Sequence, residues 1–182
     1  MIKIPDGILF QNDPRLPDPF RKEGCRAKAL MAMSEIVSGK ALTALQIELC
    51  ISAAQLSQSI MSADCTLGPD EHKITEYAAK LLGNAGLYFR QTGVLKGDTF
   101  FDWSGSAMVP SRIAFTLLHW ETDFPSGHYT LGDSEGKEII DSWCRAPGFN
   151  PWDATGRVGY TIDKKRVVEV FAYSQLTLGG AA

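Results

Sequence analysis

Apolar positions recur with two different periods along this chain, and the period changes near its middle. Residues 25 to 83 carry apolar side chains every three or four positions, the repeat of helices with one buried face. Residues 87 to 175 instead show short runs rich in β-branched and aromatic residues, bounded by Gly, Pro, Asp or Lys, as strands do.

The opening IKIPDGILFQ reads as a short strand or extended arm. NDPRLPDPFRKEG follows, and its three prolines predict an extended loop, because proline fixes φ and disfavours helix in the residue before it. From Cys25 the pattern turns helical. Ala29, Leu30, Met33, Ile36 and Val37 make its stripe, and Gly39 is a natural stop. Thr43-Ala44-Leu45-Gln46 reads as a capping box opening a second helix through about Ser62, with Leu45, Leu49, Ser52 or Ala53, and Leu56 on its buried side. GPDEH opens a third helix, with acids in the first turn where they suit the dipole, running through ITEYAAKLL to Gly83.

The strand-like runs are GLYFRQTG, DTFFDWSG, RIAFTLLHWE, HYTLG, KEIIDSW, RVGYTI and RVVEVFAY, the last two separated by DKK. Helices followed by a meander of strands predict an α+β fold with N-terminal helices packed on a mainly antiparallel sheet. At 182 residues the chain fits a single domain, 1–182, with a helical half (1–83) and a β-rich half (84–182).

Composition narrows the partners. The chain is 45% hydrophobic and 21% charged with a net charge of -3, and it has no basic tract, so nucleic acid is not a favoured partner. No stretch approaches the ~18 apolar residues that span a membrane. The N-terminus lacks the apolar core of a signal peptide, which points to the cytoplasm. Cys25, Cys50, Cys65 and Cys144 are widely spaced without a CxxC pair, which argues against a zinc ribbon or thioredoxin motif and suits reduced thiols. The sequence calls for no metal and no cofactor, and it is silent on oligomeric state.

Chemistry enters with GHYTLGDSEGKEIIDSW, residues 127–143, two apolar runs around a polar turn. With a loop of two residues (134, 135) or four (133 to 136), His128 faces Asp141 directly. With the turn on Glu135-Gly136, His128 faces Trp143, and Asp141 is its diagonal neighbour on the same face. A three-residue loop breaks the parity. A carboxylate beside the imidazole would fix its tautomer and stabilise its protonated form. The same pair on a surface hairpin is commonplace and worth only ~0.2–1 kcal/mol.

Cys25 supplies the nucleophile that this pair lacks. It begins a helix after Glu23-Gly24, where unpaired N–H groups and the positive end of the dipole favour a thiolate. The same N–H groups point where an oxyanion would form, and Gly24 would let a substrate approach the backbone closely. A small buried hydrophobe at a helix start is the plainer alternative. The other cysteines lack this setting. His72 falls in the first turn of a helix, and His119, in an apolar strand, is the fallback base. Trp103, Trp120, Trp143 and Trp152 are candidates to wall a cleft or to fill a core, and DWSGSAMVPS and APGFNPWDATG are candidate covering loops.

Cysteine at a helix start, then histidine on a strand, then an acid on the next strand resembles the papain-like cysteine peptidase superfamily. EGCRAKALMAM looks like its nucleophile helix, GHYTLGD like the strand that starts with the base, and IIDSW like the segment where an Asn or Asp is often followed by Ser-Trp. Peptidases that cut leader sequences after a double glycine are the compact relatives suggested. QNDP, the GC helix start, SGKALTALQI and the HYTLGD hairpin are also similar to a family of small, phage-associated bacterial proteins of uncharacterised function. The resemblance implies a papain-like fold, with Cys25 as nucleophile, His128 as general base and acid, and Asp141 as the orienting group. Gln11 would be the side-chain oxyanion donor, although thirteen residues separate it from Cys25 where the family has only a few. Gly24, Arg26 and Trp143 would touch substrate. Arg26 stands where the leader peptidases have glycine, which would narrow the site or select an acidic substrate.

Two classes of function follow. One is a cysteine hydrolase cleaving an amide in a peptide or protein substrate, or in the cell wall, or a deamidase or acyl transferase using the same groups. Cell-wall enzymes of related fold follow Cys with Ser-Gly, which Arg26-Ala27 does not match. The other is a non-enzymatic phage or mobile-element protein that binds and blocks a partner.

Overall fold

The computed structural model describes residues 2–122, 127–143 and 164–178. Its elements are α1 (Asp18–Glu23), α2 (Cys25–Ser38), α3 (Ala44–Gln55), α4 (His72–Leu81), β1 (Leu87–Lys96), β2 (Thr99–Asp102), β3 (Phe115–Thr122), β4 (His128–Gly132), β5 (Glu138–Asp141) and β6 (Lys164–Thr177). This is an α+β arrangement with an antiparallel sheet, as the change of period predicts. No helix among the described residues is long and apolar enough to cross a membrane.

α2 is the hub. It packs on α1 and α4 and against β1 and β4. Ala27 through Glu35 are buried without a break, so the helix is enclosed on every side rather than along one stripe. Burying two charges there requires pairing them. Lys28 Nζ donates to Glu35 Oε2 at 2.5 Å, and the other carboxylate oxygen accepts the Leu42 N–H at 2.8 Å. Gly39 ends the helix at φ 64°, a left-handed turn that glycine enters without strain.

Two helix expectations need correction. The proline-rich loop does not stay extended: its last part coils into α1. A proline in the first turn loses no hydrogen bond that the helix would have made, and Asp18 pairs with Arg21 and Lys22 one turn on. α3 has the predicted capping box, but it ends at Gln55 and turns its other face inward. Ile47, Cys50, Ile51 and Ala54 are buried, whereas Leu45, Leu49 and Leu56 are exposed, Leu56 at 89%. The helix is apolar on both sides, so periodicity alone could not choose. Packing on α4 and into the core does, and Gln46 Nε2 donates to the Leu81 carbonyl at the end of α4.

The sheet is not a simple meander either. Its order is β2-β1-β6-β3-β4-β5, every pairing antiparallel, so the last strand enters the centre. β6 has fourteen residues, long enough to pair with β1 on one side and β3 on the other. Phe89, Phe115, Leu117, Leu131 and Tyr173 meet Leu30, Met31, Met33 and Ile74 from the helices in one apolar core. RVGYTI, Cys144, Trp152 and the APGFNPWDATG loop lie outside the described residues.

Candidate functional site

The site forms where the start of α2 meets the β4–β5 hairpin. Asp133 builds the turn. Its Oδ1 accepts the N–H groups of Glu135 (3.0 Å) and Lys137 (2.9 Å), and its carbonyl accepts the N–H of Gly136, which sits at φ 85°. Asp133 N–H also bonds the Lys137 carbonyl, giving the three-residue loop 134–136. That loop breaks the parity, contrary to the two- and four-residue loops that would oppose His128 and Asp141 directly. A bulge then restores it: Gly132 pairs with Glu138, but Leu131 pairs with Ile140, leaving Ile139 extra. Thr130 faces Asp141, and His128, two residues along the strand, becomes its diagonal neighbour on the same face.

The diagonal is short. His128 Nε2 lies 2.8 Å from Asp141 Oδ1. His128 is buried and Asp141 nearly so, which sets the pair apart from an exposed hairpin contact. Asp141 is held from three directions. Oδ1 also accepts the Trp143 N–H at 2.9 Å, and Oδ2 accepts from Lys164 Nζ at 3.0 Å. Burial works to raise the Asp141 carboxyl, but the His128 bond and charge, the Trp143 N–H and the Lys164 charge outweigh it and bring it down to about 2. For His128 burial opposes the charged form. Hydrogen bonds to Asp141 and to Cys25, with the charges of both, reverse that and lift the imidazole to about 9.

Cys25 on α2 and Asp141 on β5 thus both act on the His128 ring, Asp141 through its bond to Nε2. α1 is what delivers Cys25. Gly24 joins the two helices, and a Cβ there would sit 2.5 Å from the Phe20 carbonyl and 2.6 Å from its ring. Gly24 is therefore needed for the tight α1–α2 junction, buried against Phe20.

Gln11 reaches the site despite its distance in sequence. Its backbone N–H bonds the Ser142 carbonyl at 2.8 Å, and its side-chain Nε2 donates to the Arg21 carbonyl at 3.1 Å. It bridges the end of β5 to the helix that precedes Cys25, and one of its side-chain N–H groups is spent on that bridge. Trp143 is only 6% exposed, and its backbone N–H bonds Asp141. Arg26 lies between the nucleophile helix and the sheet. Its guanidinium sits 5.1 Å from the Tyr129 ring centre and 5.6 Å from that of Phe171, and its Nε is 2.9 Å from Glu71 Oε2.

The remaining candidates separate cleanly. His119 stacks on Tyr129 at 4.4 Å, with Nδ1 3.5 Å from Glu169, and neither Cys25 nor Asp141 is among these partners. Burial pushes the Cys50 thiol up to about 12 and the Cys65 thiol to about 11, which removes both as nucleophiles. Among the described residues no group of three or more His, Cys, Asp or Glu is placed to hold a metal ion. Sequence reasoning missed Lys164, Glu71 and Tyr129. Lys164 opens β6, far along the chain from Asp141, and nothing local marks it. The sequence marked Glu71 only as an acid opening the third helix, and its burial is a property of the folded chain.

No family model matches the chain, and no curated protein or solved structure gives a match to it.

Proposed function

We propose that this protein is a cysteine hydrolase of amide bonds built on a papain-like scaffold. One observation carries the reading: the buried His128 ring lies 2.8 Å from Asp141, and Cys25, at the head of α2, is among the groups that raise its imidazole. A surface hairpin pair would have neither the burial nor the thiol.

In this mechanism His128, charged at neutral pH, pairs with the Cys25 thiolate. The sulfur attacks the amide carbon, and the N–H groups that open α2 face the oxyanion. His128 gives its proton to the departing amine as the C–N bond breaks and a thioester forms. It then takes a proton from water, whose oxygen attacks the thioester; as the C–S bond breaks, the sulfur leaves as thiolate and pairs again with the protonated ring. Asp141 stays ionised throughout and fixes the ring, with Lys164 and the Trp143 N–H fixing Asp141 in turn. A peptide is the default substrate, and a cell-wall amide would use the same groups.

Iodoacetamide labelling tests the proposal. Rapid, selective labelling of Cys25 near pH 6, abolished in His128→Ala, is the expected result. Labelling only above pH 8, at the rate of a free thiol, would defeat it and leave a non-catalytic binding protein as the better reading.

A further inference from the structure

We propose that a cavity of about 300 Å³ beside Arg26 is a subsite for a carboxylate of the substrate. The inference rests on the hydrolase reading and adds a substrate class to it. Arg26, Glu71, His72, Arg90, Gln91 and Trp103 line the cavity, and Arg26 directly follows Cys25. The Arg26 guanidinium lies over the ring of Tyr129, the residue after His128 on β4.

Charge within the cavity does not balance. Glu71 is fully used: Arg26 contacts its two oxygens at 2.9 and 3.0 Å, and the buried Tyr173 hydroxyl donates to Oε1 at 2.5 Å. Arg26 is neutralised by that carboxylate and held in place by it and by Gln91. Arg90 is the surplus. It is exposed at the rim, and no carboxylate pairs with it among the described residues. Burial, then Lys73 and Arg90, keeps His72 below the usual imidazole range, so it does not compete as a cation. One free guanidinium in a small polar cavity fits one carboxylate, which it can grip with two parallel N–H bonds.

The surroundings suit an extended chain. Arg90, Gln91 and Trp103 also border a groove of about 870 Å³ that continues to Arg112 and Ser174. Trp103 stands 61% exposed at the junction, its Nε1 donating to the Gln91 carbonyl at 3.3 Å, so its ring is fixed as a wall. Asp102 is the acid of this groove, and its Oδ1 is occupied by Ser104 and Ser106. A peptide lying in the groove would present an acidic side chain, or its own terminal carboxylate, to Arg90.

The test compares peptide twins that differ by one Glu→Gln change near the cut bond, in wild type and in Arg90→Glu. Wild type is expected to favour the Glu twin by about 10-fold or more in kcat/KM, and Arg90→Glu to erase or invert that ratio. Reading a ratio within each variant cancels any general loss from misfolding. If amidating the peptide C-terminus removes the preference while Glu→Gln does not, the carboxylate recognised is the terminal one. Equal cleavage of the twins, or a ratio that Arg90→Glu leaves unchanged, overturns the subsite. If no peptide is cut, the hydrolase reading fails separately, and the subsite is judged by NMR titration of a Glu-containing tetrapeptide into Cys25→Ala. Saturable shifts of the Trp103 indole and His72 ring that vanish in Arg90→Glu sustain it, and their absence overturns it.

Discussion

Replacing Asp141 with asparagine removes a charge from the site while keeping its shape. The structure sets the size of the effect. Asp141 falls from an ordinary 3.8 to about 2 despite its burial, a preference for the ionised form of roughly 2.5 kcal/mol. His128, the Trp143 N–H and Lys164 share that preference, and by linkage the part due to His128 returns as stabilisation of the imidazolium. The substituted amide could still accept the Trp143 N–H but offers His128 no charge. The His128 titration midpoint should therefore drop from about 9 by up to ~2 pH units. Turnover should fall by roughly 10- to 100-fold if the imidazolium is the acid for the leaving amine. NMR titration of the His128 ring in wild type, Asp141→Asn and Cys25→Ala measures the shift directly. Cys25→Ala should also lower the midpoint, because the sulfur is the ring's second partner. A wild-type midpoint near 6.5, or one that neither substitution moves, would refute the coupling of the three side chains.

Further outcomes follow from the same geometry. Lys28→Met leaves the buried Glu35 carboxyl without its partner, so urea denaturation should show a loss of ~3–5 kcal/mol, and a loss under ~1 would contradict the buried pair. Gly24→Ala forces a Cβ against Phe20, which should cost ~1–3 kcal/mol and slow Cys25 labelling by displacing the start of α2; an unchanged labelling rate would show that the junction does not position the cysteine. Stability should also follow pH with a definite sign. His128 is raised from 6.5 to about 9, so its contribution is complete below pH 6.5 and lost as pH climbs through 9; Asp141 contributes above 3.8 and loses its share as pH falls through 2. The pair therefore stabilises most between about pH 4 and 6.5, and denaturation midpoints across pH should flatten in His128→Phe if the assignment holds.

Local signals in the sequence carried the elements well. The change of period near residue 85 gave helices followed by strands because each repeat is a direct consequence of backbone geometry. Gly39 and the Thr43 capping box marked helix ends because those positions bond only to their own neighbours. Cys25 at the head of α2 was legible for the same reason. Wherever the outcome depended on contacts between distant segments, local pattern failed. Which side of α3 is buried was settled by its packing on α4 and the core, not by its own pattern. β6 enters the centre of the sheet because two other strands offer it edges, which no property of its own run encodes. The hairpin register required both a three-residue loop and a bulge at Ile139, two departures that cancel and are invisible to alternation. The meeting of Cys25 with His128, and the Lys164 and Trp143 contacts that hold Asp141, exist only after α2 packs on the sheet. The sequence by itself determined which chemical groups were available and on which elements they ride; tertiary packing decided which of them touch, because burial and long-range hydrogen bonds are properties of the assembled chain.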